Sequence, residues 1–263
     1  MSENVLISAR NVTKSFRLPG HKRHIAVDNV SLDMYKGETL ALVGESGCGK
    51  STLAKLLMRL LDADSGEIIF DGTDISAISG RALRPFRKRM QMVFQDPASS
   101  LDPRMKVRDI IAEPLEVWHA FGRKETDERV LELLEMVELK ESSMYKYPHQ
   151  FSGGQKQRIG IARSIALNPD LIVCDESVSA LDVSVQAQIL NLLKRLKKEL
   201  GLSCLFISHD LSVVNFIADR VCVMQGGKIC EINDAKSLYE HPEHEYTRYL
   251  LSSIPTIQVR NVH

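Results

Sequence analysis

The run Gly44-Glu45-Ser46-Gly47-Cys48-Gly49-Lys50-Ser51 narrows what this chain can fold into more than any other stretch. It satisfies the phosphate-loop pattern G-x-x-x-x-G-K-[ST] at every required position. The pattern needs a strand before it and a helix after it, and both are predicted here. Leu40 to Val43 is wholly apolar, as a buried parallel strand should be. Thr52 to Leu61 lacks Gly and Pro and is rich in helix-favouring Leu, Ala and Lys. Glycines let successive backbone N–H groups converge on one concave spot that holds phosphate oxygens, and the new helix adds its positive end. Gly44 through Thr52 thus form a candidate phosphate cradle, with Lys50 for the β- and γ-phosphates and the Ser51 hydroxyl for Mg²⁺. The expected ligand is a nucleoside triphosphate.

The chain is 263 residues long, enough for a large domain or two closely packed lobes. Lys plus Arg and Asp plus Glu number 34 each, so no bulk positive charge argues for a nucleic-acid partner. The 5 cysteines include no C-x-x-C pair and read as reduced, mostly buried thiols of a cytosolic protein. No signal peptide is expected, and no uncharged apolar run approaches the length of a membrane span.

The remaining chain reads as an α/β core with a helical insertion. Residues 4 to 16 and Ile25 to Met34 predict an N-terminal β region, with the basic stretch ending at His24 as a loop between them. Glu67 to Phe70 and Gln91 to Gln95 are further strands. Between them, Arg81, Arg84, Arg87, Lys88 and Arg89 suggest a solvated helix face. From about Pro103 to Ser143 the signals are helical. Thr126 is placed to cap a helix burying Val130, Leu133, Leu134 and Val137 at i, i+3, i+4 and i+7. Leu171 to Cys174 and Cys204 to Ser208 are buried strands. A helix from Ser184 to Leu200 joins them, burying Val185, Ile189, Leu192, Leu193 and Leu196 and ending at Gly201. A hairpin turns at Gly226-Gly227. The expected layout is one domain over 1–263: a core of about 1–97 and 166–240, a helical lobe of about 98–165, and a tail of about 241–263.

Two further stretches narrow the chemistry. Asp175-Glu176 directly follows a buried strand, at the sheet edge where ligands bind. The first acid suits a Mg²⁺ shell and the second an attacking water. Phe151-Ser152-Gly153-Gly154-Gln155 precedes a helix predicted from Lys156 to Ala166, so it is a second anion-ready helix start. One chain has no evident use for two γ-phosphate sites unless the second faces a neighbouring subunit.

In family order and over nearly the whole length, this set resembles the ATPase subunit of an ATP-binding cassette (ABC) transporter. The resemblance implies a P-loop NTPase (RecA-like) core with an N-terminal antiparallel β region and an inserted α-helical lobe. Gly44 to Ser51 corresponds to Walker A, and Gln95 to the Q-loop, a Mg²⁺ and nucleotide contact. Ser152, Gly153, Gly154 and Gln155 are similar to the family signature. Leu171 to Asp175 is similar to Walker B, with Glu176 as the catalytic carboxylate. Ser179 to Asp182 resembles the D-loop and His209 the switch histidine. Phe16 sits where the family stacks an aromatic on adenine; a core strand residue is the alternative. ATP is then sandwiched between two such subunits, which explains the second glycine loop. Phe151 for leucine and Ser177 for proline are mild departures from the pattern.

The stretches Gln95 to Met105, Phe151 to Gln155, Val178 to Leu190 and His241-Pro242 with Tyr246-Thr247 through Pro255 resemble the peptide and nickel importer branch. This implies an energy-coupling ATPase for oligopeptides, dipeptides or nickel-type complexes. The implied partners are a second, related ATPase, two transmembrane permeases and an extracytoplasmic solute-binding protein, with no nucleic acid. The implied place is the cytoplasmic face of the membrane. A permease segment is expected in a groove between core and lobe, beside Gln95, Arg104 and Arg108. The cysteine-bearing extension of many branch members is not expected here, and His241, His244 and His263 read as a solvated tail. The rival readings are a soluble ABC ATPase acting on ribosomes or DNA, and a regulatory module without turnover.

Overall fold

A computed structural model describes residues 4–17, 23–94, 96 and 99–253. In chain order, β1 (Val5–Arg17) and β2 (Arg23–Tyr35) pair antiparallel, and β3 (Thr39–Val43) leads through the phosphate loop into α1 (Lys50–Leu57). β4 (Ser65–Phe70) returns to β1, and β5 (Thr73–Asp74) edges that sheet, giving the order β2-β1-β4-β5. Then come α2 (Arg84–Arg89), β6 (Met90–Val93), and the helices α3 (Val107–Val117), α4 (Arg123–Met136) and α5 (Gly153–Ile165). β7 (Leu171–Asp175), α6 (Val183–Leu200), β8 (Ser203–Ile207), α7 (Leu211–Ile217), β9 (Arg220–Gln225), β10 (Lys228–Asp234), α8 (Ala235–Glu240) and α9 (Glu245–Ser252) complete the chain. The second sheet runs β10-β9-β3-β8-β7-β6, parallel except for β10.

The apolar runs of β3, β7 and β8 are buried at every position because both faces of their sheet are covered. Side chains alternate across a strand. Ala41 and Val43 accordingly join Ile172, Cys174 and Phe206 in a core shared with α3 to α7. Leu40 and Leu42 join Leu171, Val173 and Leu205 in a second core, with α1 and the antiparallel sheet. Each fully buried Leu, Ile or Phe contributes about 1.5–3 kcal/mol by leaving water. The register Leu40↔Leu205 and Asp175↔Ile207 brings the C-terminal ends of β3, β7 and β8 to one edge.

Several local expectations change. α1 spans Lys50–Leu57 rather than reaching Leu61. The chain leaves the helix at Arg59 (φ 51), whose buried guanidinium donates to the Ile75 carbonyl at 2.8 Å and the Ile78 carbonyl at 3.1 Å. Tertiary hydrogen bonds here override helix propensity. Thr126 does not cap α4: Gly122 does, with the Glu125 carboxylate accepting its N–H at 3.0 Å, while Thr126 donates to the Gly122 carbonyl from within the first turn. Val185 is half-buried rather than buried, since the first turn of α6 lies at the rim. The basic stretch is more than a solvated face. Arg84 stacks on Trp118 at 5.0 Å, and Arg89 bridges Asp71 and Asp170, so these cations tie α2 to α3 and to both sheets.

Candidate functional site

At the C-terminal edge of the parallel sheet, a cleft of ≈ 370 Å³ is lined by Phe16, His24, Ala26, Ser46, Gly47, Gly49, Lys50, Ser51, Thr52 and Glu176. Two glycines shape its floor. A Cβ on Gly44 (φ +148) would lie 2.1 Å from the Met224 carbonyl oxygen, and one on Gly49 (φ +107) 2.0 Å from that of Ala26. The loop is thus pressed between β2 and β9, where only glycine fits. Gly227 fastens it from behind by donating to the Cys48 carbonyl at 3.0 Å.

Lys50 is 4% exposed, and its ammonium donates to the Gly44 and Glu45 carbonyls, both at 2.8 Å. Its third donor meets Cys48 Sγ at 3.7 Å, so all three have partners. The Ser51 hydroxyl donates to Asp175 Oδ1 at 2.9 Å, joining the start of α1 to the end of β7. Burial pushes the Asp175 carboxyl above its ordinary range; the Ser51 bond opposes this and the Glu176 charge adds to it. Glu176 takes a left-handed backbone (φ 46) and donates its N–H to the Ile207 carbonyl at 3.1 Å. Such a conformation is costly for glutamate, and functional sites are where such strain collects. His209 Nδ1, at the end of β8, stands 3.5 Å from Glu176 Oε1.

A hydroxyl and a carboxylate are hard oxygen donors suited to Mg²⁺, which takes few protein ligands and keeps others for phosphate and water. No group of three or more His, Cys, Asp or Glu able to hold a metal occurs among the described residues. Gln95, the remaining expected contact, lies outside the described residues. Phe16 is exposed at the cleft wall rather than in the core, with Lys14 5.9 Å from its ring centre.

The second glycine loop lies apart, and none of its residues lines this cleft. Ser152 caps α5: its hydroxyl accepts the Gln155 N–H at 3.4 Å, while Gln155 Oε1 accepts the Ser152 N–H at 3.1 Å. Ser152, Gly153 and Gln155 are exposed, and Gly154 is buried. A Cβ on Gly154 would meet Val185 Cγ1 at 2.3 Å, so the loop rests directly on α6. Asp182 in turn caps α6 by accepting the Val185 N–H at 2.9 Å.

A groove of ≈ 460 Å³ lies between β6 and α3, lined by Met92, Phe94, Val117, Trp118 and Arg163 among others. Arg104 and Arg108, expected at such a groove, do not line it. Arg104 pairs with Asp102, and Arg108 is held by Asp109, Glu116 and Asp127. One contact was beyond sequence reading: the Tyr246 hydroxyl, on α9, accepts the Glu45 N–H at 3.1 Å.

Residues 27–179 match the ABC transporter family. The chain is 50% identical over 258 residues to an oligopeptide transport ATP-binding protein of Streptococcus mutans, covering 97% of this chain and 84% of that one. It is 55% identical over 232 residues to the Bacillus subtilis counterpart, covering 88% and 76%. It is 48% identical over 254 residues to a dipeptide transport ATP-binding protein of Lactococcus lactis, covering 95% and 81%. In structure it resembles a dimeric ATP-binding cassette in a post-hydrolysis state bound to ADP and Pi (TM-score 0.79, 31% identity, 88% of this chain and 99% of that one). It also resembles a cassette from a Clostridium perfringens ABC transporter complex (TM-score 0.81, 27% identity, covering 91% and 92%).

Proposed function

Because the chain belongs to the ABC transporter family of ATP-hydrolysing cassettes, we propose that it is the energy-coupling subunit of a peptide uptake system. The observation that carries the chemistry is the 2.9 Å bond from Ser51 to Asp175, which joins the phosphate loop to the acidic strand end beside Glu176. ATP is the substrate. Gly44 through Thr52 hold its phosphates, Lys50 meets the β- and γ-oxygens, and Phe16 stacks on the base. Mg²⁺, when bound, draws charge from the phosphates; Ser51, Asp175 and Gln95 are its candidate ligands. Glu176 orients and deprotonates the attacking water, and His209, beside it, contacts the γ-phosphate. Ser152 to Gln155 serve the nucleotide of a neighbouring cassette. The names of the relatives favour oligopeptides or dipeptides over nickel complexes as cargo.

The partners are a second, related ATPase, two permeases and a solute-binding protein, and the chain sits peripherally on the cytoplasmic face. No helix among the described residues is long and apolar enough to cross a membrane. The β6–α3 groove is the proposed seat for a permease segment. The domain division at about 98 and 165 belongs to the same reading, with α3 to α5 as the lobe that presents Ser152 to the neighbour. The test is uptake of labelled peptide by a host lacking this gene. The native chain should restore uptake and Glu176→Gln should not. Undiminished peptide uptake in the deleted host, with nickel uptake lost instead, would overturn the cargo.

A further inference from the structure

We propose that Tyr246, on the C-terminal helix α9, is a positioning residue that sets the phosphate loop for nucleotide. The inference rests on the reading that Gly44 to Ser51 binds nucleotide phosphates. Its ground is the Gly44–Glu45 peptide. The Glu45 N–H donates to the Tyr246 hydroxyl at 3.1 Å, and the Gly44 carbonyl of the same plane accepts from Lys50 at 2.8 Å. Glu45 directly follows Gly44, which is pressed against the Met224 carbonyl. A loop of this kind binds by aiming several N–H groups at once, so its affinity depends on each peptide plane keeping its angle. Tyr246 therefore fixes the first plane of the cradle from outside it.

The brace is itself anchored. Tyr246 is 7% exposed and belongs to the core that contains Val43 and Val223. The start of α9 is pinned by Glu231 of β10, whose carboxylate accepts the Glu243 N–H at 3.1 Å and the His244 N–H at 3.0 Å. Burial alone would push the Glu231 carboxyl up, yet the bonds it accepts hold it below its ordinary range, so it serves as an ionised acceptor. Arg248 donates to the Pro242 carbonyl at 3.0 Å and the Glu243 carbonyl at 2.8 Å, closing the turn that precedes the helix. Further along, Leu250 and Ser253 face Gly44, Glu45 and His209 across a cleft of ≈ 490 Å³. One short helix thus meets the beginning of the phosphate loop and the neighbourhood of the residue beside Glu176. Nucleotide occupancy and the seating of α9 are coupled through this contact: whatever loosens α9 weakens ATP binding.

Tyr246→Phe removes the hydroxyl and keeps the ring in the core. In the full chain, titration with a fluorescent ATP analogue should show affinity reduced roughly 3- to 10-fold, the range expected for losing one hydrogen bond to a backbone amide. The melting temperature without nucleotide should stay close to native. The Glu45 amide should exchange faster with deuterium than in the native chain. A packing role for the ring alone predicts native affinity and native Glu45 exchange in Tyr246→Phe, and that result overturns the inference. Affinity loss without faster Glu45 exchange also overturns it, because the effect would then not pass through this peptide. Lys50→Ala separates the two readings. If it binds the analogue as tightly as the native chain, the phosphate-loop reading itself fails. If it loses binding while Tyr246→Phe does not, only the present inference falls.

Discussion

The two glycine loops look alike on paper and differ in what surrounds them. The phosphate loop is built against backbone on both sides, at Met224 and Ala26, and opens on a cleft that already holds Lys50, Ser51 and Glu176. The loop at Ser152 is built against side chains, Val185 and Leu181, and Ser152, Gly153 and Gln155 are exposed. Its Ser152 hydroxyl and Gln155 side chain cap their own helix. On the function proposed above, the first loop is a site complete in one chain, and the second is half a site that a neighbouring cassette completes, so that binding needs one chain and turnover two.

The largest expected effect sharpens this division. Glu176→Gln should leave ATP affinity intact and cut hydrolysis by roughly 10²- to 10⁴-fold, the usual contribution of a positioned base. It should also accumulate an ATP-bound pair of cassettes, measurable by size-exclusion chromatography with light scattering. Near-native phosphate release would sink the assignment of Glu176. Next in size is a matched pair of alanines. Gly49→Ala drives a Cβ into the Ala26 carbonyl, where backbone cannot yield cheaply, so nucleotide affinity should fall by about tenfold or more. Gly154→Ala meets only the Val185 side chain, at an expected cost of about 1–3 kcal/mol in stability. It should spare affinity and lower hydrolysis, and Val185→Ala should restore both stability and turnover. If Gly154→Ala weakened binding by the isolated chain as Gly49→Ala does, the division between the loops would be wrong. The smallest effect is that of Ser152→Ala. Loss of the cap should cost roughly 0.5–2 kcal/mol of stability, read by thermal melting, with nucleotide affinity unchanged.

Local chemistry was legible in the sequence. The phosphate loop, the paired acids and the strands β3, β7 and β8 are written in short runs whose meaning does not depend on distant partners. Elements set by distant partners were not. α1 stops early because Arg59 reaches carbonyls at Ile75 and Ile78, and Thr126 loses the cap because α4 begins at Gly122, whose N–H the Glu125 carboxylate accepts. Arg108 looks free as a residue type, yet three carboxylates surround it. The bond from Glu45 to Tyr246 joins residues 201 positions apart, and nothing in either neighbourhood announces it. Phe16 was open between core and cleft. Only its exposure at the end of a strand otherwise buried at Leu6, Ile7, Ala9 and Val12 places it at the cleft wall.

The backing of the phosphate loop by β9 has a consequence for biogenesis. The motif is made early, but Met224 presses on Gly44 and Gly227 fastens Cys48 only after most of the chain has left the ribosome. β3 likewise waits for β8 and β9, its two parallel neighbours. Long-range pairings of this kind close late, because loop entropy must be overcome before they contribute. A nascent chain that ends before β9 carries the whole motif and the Ala26 half of its backing but not the Met224 half, so full ATP affinity is expected only near the end of synthesis.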